Sequence, residues 1–151
     1  MPSSSSATTG DSKIRILVVD DESDILLTLN IVLSGRGHSV KTFDNPAEAL
    51  SHLTSNNNVV ALYDLVITDY RMPGSGMSGL DLAKQIKEYT RRKTKVFLMS
   101  GSFNESSLPE EFGEGLKSGI VDEFIQKPFS NDKLIAIVEK SFLNNNKKNN
   151  H

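Results

Sequence analysis

Five short runs of β-branched and aliphatic residues recur along the chain, and each is followed by a segment with helical periodicity. The runs are Arg15 to Asp20, Ser39 to Phe43, Asp64 to Asp69, Lys95 to Ser100 and Val121 to Gln126. Strict alternation of strand and helix requires parallel strands joined by crossover helices, and near-continuous apolar strands indicate a sheet covered on both faces. The sequence therefore predicts a doubly wound α/β domain with five parallel strands.

Helix starts are marked by residues that can accept hydrogen bonds from free backbone N–H groups. Asn45 stands before Pro46, Ser78 precedes Asp81 by three residues, and Ser130 begins the last helical segment. Asn and Ser are favoured N-cap residues, proline fits the first helical position, and a serine followed three residues later by an acid resembles a capping box. These signals predict where three of the helices begin.

Composition limits the chain to one core and to few classes of function. Its 151 residues suffice for one domain, and 17 basic against 19 acidic residues provide no field that would attract nucleic acid or an anionic membrane. The absence of cysteine excludes disulfides, a thiolate nucleophile and cysteine metal sites, and it indicates a cytoplasmic location. No run approaches the roughly 18 apolar residues that a membrane helix needs.

The two ends of the chain differ in composition from the body. Residues 1–12 are rich in serine and threonine, and residues 144–151 read NNNKKNNH. Both ends are too polar to contribute to a core, so we expect them to be disordered tails. The predicted folded domain is residues 13–143.

Polar side chains stand where four of the predicted strands end. The first strand ends in Asp20 and Asp21, the third in Asp69 and the fourth in Ser100, and Lys127 follows the fifth. Because ligands of such sheets bind beyond the carboxyl ends of the strands, we expect these groups to converge. Three carboxylates suit Mg²⁺, for which Mn²⁺ can substitute. Asp69 would then serve as a nucleophile toward a phosphoryl group, with Ser100 and Lys127 binding its oxygens.

Each of these residues also has a simpler explanation. The acids from Asp20 to Asp24 precede a helix, whose N-terminus favours negative charge, and Asp69 can simply begin a turn. In isolation Ser100 and Lys127 are ordinary loop residues, and Phe124 is a core residue. Their joint occurrence at four strand ends of one predicted fold favours the functional interpretation.

Together the motifs resemble the receiver domain of two-component response regulators, in particular stand-alone receivers of the chemotaxis-regulator type. The resemblance covers residues 13–143. It is carried by the Asp20-Asp21 pair, ITDYRMPG around Asp69, MSGL from Met77, Ser100-Gly101, and FIQKPF from Phe124. It implies a flavodoxin-like fold, with a five-stranded sheet of order 2-1-3-4-5 flanked by five helices.

The resemblance implies a metal-dependent phosphoryl acceptor. Asp69 would take a phosphoryl group from a sensor histidine kinase or a histidine phosphotransfer protein. Mg²⁺ would be held by Asp21, Asp69 and the main-chain carbonyl of Arg71, and by Asp20 through water. Such a protein phosphorylates and dephosphorylates itself but turns over no external substrate.

The resemblance also implies a conformational switch. Lys127, before a cis Pro128, would bind the phosphoryl oxygens, while Ser100 and Phe124 would move in concert. Output would then pass to a protein partner that the sequence does not identify, and neither nucleic acid nor a membrane is an expected partner.

The segment after Asp69 departs from the family pattern. Gly74, Ser75 and Gly76 stand where that pattern leaves room for one residue, and residues 74–79 spell G-x-G-x-x-G. This fingerprint is typical of dinucleotide-binding domains, but no acid ends the strand that follows. Nucleotide binding therefore remains an alternative, as does a longer acceptor loop that alters the lifetime of a phosphoryl group.

Two further functions compete with the receiver interpretation. A phosphohydrolase with an aspartyl nucleophile favours a second acid two residues after Asp69, where Arg71 stands. The other is a receiver that acts only as a scaffold. Such a protein does not require the acidic pair, Asp69, Ser100 or Lys127, all of which are present here.

Two helices carry additional expectations. Pro109 and three later glycines argue against a single long fourth helix between Ser100 and Lys127. The first helix has more apolar residues than one buried stripe requires, so we expect some of them to form a docking surface for the kinase. We take Leu26 and Leu33 as candidate docking positions.

Overall fold

The structure is a computed structural model that describes residues 13–55, 63–101 and 110–149, with side chains described as far as Phe142. In these residues five strands alternate with five helices. They are β1 (Arg15–Val19), α1 (Ser23–Gly35), β2 (Ser39–Phe43), α2 (Pro46–Thr54), β3 (Leu65–Asp69), α3 (Gly79–Thr90), β4 (Lys95–Ser100), α4 (Glu110–Ser118), β5 (Glu123–Gln126) and α5 (Asn131–Asn149).

All neighbouring strands are parallel, and their order in the sheet is β2-β1-β3-β4-β5. The predicted doubly wound α/β fold and its strand order are therefore confirmed. β1 lies between β2 and β3, with Val19 opposite both Phe43 and Thr68. The register places the carboxyl ends of β1, β3 and β4 at the same edge of the sheet, which is where the predicted site residues stand.

The core consists of two apolar layers, one on each face of the sheet. Alternate residues of one strand enter different layers because successive side chains point to opposite faces. Leu17 and Val19 of β1 pack with α2 and α3, whereas Ile16 and Val18 pack with α1 and α5. This explains why the central strands read as continuous apolar runs.

The predicted helix starts are confirmed by hydrogen bonds. The Asn45 side chain accepts from the backbone N–H groups of Ala47 and Glu48 at 2.8 and 3.1 Å. Ser78 and Asp81 form a reciprocal capping box at the start of α3. The Ser130 hydroxyl accepts from an N–H in the first turn of α5 at 3.1 Å.

Strand β5 begins two residues later than its apolar sequence predicts, at Glu123 instead of Val121. A partly buried ion pair stands directly before this start. The Asp122 carboxylate lies 2.6 Å from Lys87 Nζ and accepts from the backbone N–H of Val96 at 2.8 Å. Asp122 therefore fixes the entry to β5 through its side chain.

The described residues reach past one end of the predicted domain. Residues 1–12 lie outside the described residues. The backbone of α5 continues to Asn149, past residue 143, and the limits 13–143 remain a prediction for the packed domain. None of the helices in the described part of the chain combines the length and the apolar character of a transmembrane segment.

Candidate functional site

Four acidic side chains meet at the carboxyl edge of the sheet. Asp20, Asp21, Glu22 and Asp69 each place an oxygen within 4.8 Å of the others. Asp20 is fully buried and Asp69 nearly so, whereas Asp21 and Glu22 are exposed. We call this group, together with Lys127, the acidic cleft.

The turn after β1 orients the buried member of the cluster. Asp20 Oδ1 accepts from the backbone N–H of Glu22 at 2.9 Å, and the Asp20 backbone N–H donates to the Phe43 carbonyl at 3.1 Å. This tight turn, in which an aspartate bonds to backbone two residues on, directs the second carboxylate oxygen of Asp20 into the cleft. It also brings Glu22 to the rim of the cleft.

Lys127 is the cation of the cleft. Its Nζ lies 2.7 Å from Asp20 Oδ2, 3.1 Å from Asp69 Oδ1 and 3.3 Å from Glu22 Oε1. Its backbone N–H donates to the Ser100 carbonyl at 3.0 Å, so β4 helps to position it. The peptide bond from Lys127 to Pro128 is cis, as the resemblance implies.

The cleft has more negative charge than Lys127 can neutralise. Burial raises the pKa of Asp69 to about 6, and the charge of Asp20 adds to the effect against the opposing charge of Lys127. Burial also raises the pKa of Asp20 in spite of the hydrogen bond from Lys127. Burial opposes the charge of Lys127, but its hydrogen bond and charge interactions with Asp20 and Asp69 outweigh that effect and raise the pKa of Lys127. A second positive charge would therefore be stabilised in this cleft.

The donor set fits a small, hard dication. The carboxylate oxygens of the cluster are the ligand type that Mg²⁺ and Mn²⁺ prefer, and the excess of carboxylates over ammonium groups supplies the charge. The cleft holds a volume of about 330 Å³, lined by Asp21, Glu22, Asp69, Arg71, Ser100 and Lys127 among others. That volume has room for a dication together with a tetrahedral phosphoryl group.

The structure thus brings most of the predicted site residues together. Asp20, Asp21, Asp69 and Lys127 form the cluster, and Ser100 and Arg71 line its cleft. Phe124 stands on β5 and packs against Phe112 of α4, with ring centroids 5.0 Å apart.

Glu22 belongs to the cluster but is not among the residues that the sequence predicts for the site. The acids that follow β1 are explained equally well by their place before a helix, and their spacing alone does not separate a capping acid from a cleft residue. The only signal was the direct succession of three acids after an apolar strand. The turn at Asp20 places Glu22 in the cluster with the other two acids.

The segment after Asp69 is an ordered turn. The Ser75 hydroxyl lies 2.6 Å from the Met72 carbonyl oxygen and 2.8 Å from that of Met77. Gly74 and Gly76 on either side have φ values of 81° and 79°, which favour glycine.

The geometry also argues against the dinucleotide fingerprint in this segment. At the start of α3 the Asp81 carboxylate accepts from the backbone N–H of Ser78 at 3.1 Å. A carboxylate therefore already lies at the helix N-terminus where a dinucleotide phosphate would bind.

The prediction for α1 is wrong for one of its two residues. Leu33 is fully buried against the sheet, so it cannot contact a partner, and Leu26 is partly buried in the same core layer. The exposed large apolar side chains of this helix are Leu27, 59% exposed, and Ile31, 63% exposed. They stand one helical turn apart and form one small apolar patch.

Comparison with known proteins agrees with this architecture. A family model described as the response regulator receiver domain matches residues 16–139. The DNA-binding transcriptional regulator NtrC of Escherichia coli is 33% identical over 126 residues, which cover 83% of this chain and 24% of NtrC. The chain therefore spans about a quarter of the length of that relative.

Two solved structures illustrate the likeness in fold. A response regulator receiver domain protein from Clostridium thermocellum superposes with a TM-score of 0.71 at 31% identity, covering 89% of this chain and 97% of that one. The response regulator TrrA from Thermotoga maritima, in complex with Mg²⁺ and BeF, gives a TM-score of 0.64 at 35% identity. In that case the match covers 84% of this chain and 97% of TrrA.

Proposed function

The chain belongs to the response regulator receiver domain family, and we propose that it accepts a phosphoryl group on Asp69 in a Mg²⁺-dependent reaction. The observation that carries this proposal is the acidic cleft itself. A nearly buried aspartate lies beside a lysine ammonium and among three further carboxylates, in a cleft that opens to solvent. Such an arrangement suits transfer of a strongly anionic group from a protein donor.

Asp69 acts as the nucleophile. One of its carboxylate oxygens forms a bond to phosphorus, while the bond from phosphorus to the leaving atom of the donor breaks and that atom keeps the electron pair. Lys127, 3.1 Å from Asp69 Oδ1, would bind an oxygen of the transferred group, and Ser100 at the end of β4 would donate a hydrogen bond to another.

The metal would be held by Asp21, Asp69 and the Arg71 carbonyl, and by Asp20 through water. When bound, it neutralises negative charge on the carboxylates and on the phosphoryl oxygens. Glu22, which lies in the same cluster, adds negative charge at the rim.

The phosphoryl group would act as a switch because it adds strong acceptors beside Lys127, which the Ser100 hydroxyl can reach only if the loop that carries it moves inward. If the loop after Ser100 moves toward Asp69, it vacates space that Phe124 can fill. A shift of the population from 1:99 to 99:1 needs about 5.5 kcal/mol, which several charge-assisted hydrogen bonds can supply together.

The proposal includes the partners of the reaction. The donor is a sensor histidine kinase or a histidine phosphotransfer protein, which would dock on the patch of Leu27 and Ile31 on α1. The output is received by a protein partner. The reaction takes place in the cytoplasm, as the cysteine-free sequence indicates.

The test is intact-mass measurement after incubation with Mg²⁺ and acetyl phosphate. We expect the wild type to gain one phosphoryl group and Asp69→Ala to gain none. Asp64→Asn is the matched control, since Asp64 stands at the opposite end of β3 and its carboxylate accepts from the Arg15 backbone N–H. An Asp69→Ala protein that is still modified, or a wild type that is not, contradicts the proposal.

A further inference from the structure

Three aromatic rings connect the acceptor loop to β5 through helix α4. Tyr70, the residue after Asp69, meets Phe112 edge to face, with ring centroids 4.5 Å apart and planes at 82°. Phe112 in turn stacks on Phe124 at 5.0 Å and 19°. Phe112 is fully buried. Because its ring contacts both Tyr70 and Phe124, the first turn of α4 lies between the acceptor loop and the proposed switch residue.

A hydrogen bond adds to the ring contacts. The Tyr70 hydroxyl donates to the carboxylate of Glu111, the neighbour of Phe112 on α4. Tyr70 is itself fixed by its backbone: its N–H donates to the Met99 carbonyl and its carbonyl accepts from Gly79, both at 2.8 Å. The acceptor loop therefore provides a rigid base to which α4 is attached.

Helix α4 depends on such attachments. It spans nine residues and contains Gly113 and Gly115. Helices this short are marginal on their own, and each internal glycine costs about 1 kcal/mol relative to alanine. The position of α4 is consequently set by its tertiary contacts and not by intrinsic helix stability.

We propose that Tyr70 is a positioning residue that holds α4 in the arrangement of the unmodified protein. Its hydroxyl retains Glu111 and its ring supports Phe112, which stacks on Phe124. An inward turn of Phe124 separates the stacked rings, so the Tyr70 contacts with α4 oppose the switch. This inference rests on the proposed function, because it assigns Tyr70 a role in the switching of the same site.

The energetic consequence is measurable as ligand affinity. For a ligand that binds only the switched state, the apparent Kd equals the intrinsic Kd divided by the fraction of molecules in that state. Removing one hydrogen bond that favours the unswitched state raises this fraction by about threefold to tenfold. Loss of the Tyr70 hydroxyl should therefore tighten binding of a phosphoryl analogue.

The experiment is calorimetric titration of the full chain with beryllium fluoride in the presence of Mg²⁺. We expect Tyr70→Phe and Glu111→Ala each to bind about threefold to tenfold more tightly than the wild type. The double variant should bind no more tightly than either single variant, because both remove the same bond.

Two control variants keep the comparison specific. Glu111→Gln retains a carbonyl acceptor for the Tyr70 hydroxyl and should behave as the wild type. Tyr63→Phe removes a hydroxyl that lies 2.9 Å from His52 Nε2 on another face of the domain, and it should leave the affinity unchanged. Hydrogen exchange of residues 110–118 in the ligand-free protein should be faster in Tyr70→Phe than in either control.

The outcomes separate this inference from the proposed function. A wild type that binds no beryllium fluoride overturns both. Wild-type binding with an unchanged or weaker affinity in Tyr70→Phe overturns the role of Tyr70 alone. Additive effects in the double variant overturn its pairing with Glu111.

Discussion

At the level of single residues, the surroundings of two lysines distinguish a balanced ion pair from the acidic cleft. Lys87 Nζ is buried against one carboxylate, that of Asp122, and also donates to the Thr94 carbonyl at 2.8 Å. Its charge is balanced by one partner. Lys127 faces Asp20, Glu22 and Asp69. Lys127 therefore leaves negative charge in the acidic cleft unbalanced. Because like charges about 4 Å apart repel by roughly 4 kcal/mol at an effective dielectric near 20, a bound cation would relieve this repulsion.

His38 should make stability dependent on pH. Its side chain is 1% exposed, and its Nδ1 accepts from the Ile14 backbone N–H at 3.2 Å, which requires an unprotonated Nδ1. Burial lowers the pKa of His38 from 6.5, and the nearby charge of Arg36 acts in the same direction against the opposing charge of Glu139. The unfolded chain therefore takes up the proton first, and the contribution of His38 to stability is present above pH 6.5 and is lost as the pH falls below it.

The measurement is urea unfolding at about pH 7.5 and about pH 5.5. We expect the free energy of unfolding to fall between these values by more in the wild type than in His38→Gln. His52→Gln is the control and should keep the wild-type difference. Equal pH dependence in His38→Gln and the wild type would refute this role of His38.

Substitutions in the exposed patch of α1 should impair docking of the kinase without changing the reaction at Asp69. Leu27→Asp and Ile31→Asp change side chains that are 59% and 63% exposed, so stability should change by no more than about 0.5 kcal/mol. Phosphoryl transfer from a histidine kinase shown to modify the wild type should slow, while modification by acetyl phosphate stays the same. Leu33→Ala, in the core, should instead cost about 2–5 kcal/mol of stability. Unchanged transfer in both surface variants would exclude docking at this patch.

At the scale of elements, the start of α3 is fitted closely to the end of β3. A Cβ atom at Gly79 would collide with the Asp69 carbonyl oxygen, and the Gly79 N–H donates to the Tyr70 carbonyl at 2.8 Å. Gly113 in α4 has open space around it. We expect Gly79→Ala to destabilise the protein by about 1–3 kcal/mol and Gly113→Ala to stabilise it by about 0.5–1 kcal/mol in urea unfolding. Equal effects of the two changes would contradict this account.

The turn from Met72 to Met77 should protect a phosphoryl group on Asp69 from hydrolysis. Arg71 and Pro73 line the cleft, and the Ser75 hydroxyl holds the turn by its contacts with the Met72 and Met77 carbonyl oxygens. Loosening this turn admits water to Asp69, so Ser75→Ala should shorten the lifetime of the phosphoryl group by about twofold to fivefold. Deletion of Ser75 and Gly76 should also change that lifetime. The lifetime is followed by intact mass after removal of the donor, and an unaltered decay in both variants would exclude a role for the turn.

At the scale of the whole molecule, the two core layers define how much of α5 the domain needs. Leu134 and Val138 are buried and Phe142 packs on the same layer. A chain ending at residue 143 keeps these side chains, and we expect its melting temperature to lie within about 2 °C of that of the full chain. A chain ending at residue 137 loses Val138 and Phe142 and should melt at a clearly lower temperature. Equal melting of both shortened chains would show that the end of α5 does not contribute to the core.

Much of this architecture follows from local patterns. The alternation of apolar runs with capped helical segments fixed the element order, because strand and helix periods and N-cap chemistry are properties of short sequences. Parallel pairing follows from that alternation, and the motifs that resemble receiver domains supplied the strand order. Since strands of such a sheet end at one edge, the sequence predicts that Asp20, Asp69 and Ser100 converge there.

Other features depend on side chains that are distant in sequence. Whether Leu33 or Leu27 faces the core depends on how α1 is rotated against the sheet, and an α1 with many apolar residues does not specify that rotation. The contacts of Tyr70 with α4 likewise join residues from different elements. The order of residues along the chain thus specifies the elements and the chemical groups that follow the strands. The distances between those groups and their burial, such as the place of Glu22 beside Asp69, arise only when the elements pack, because they depend on contacts between residues far apart in the chain.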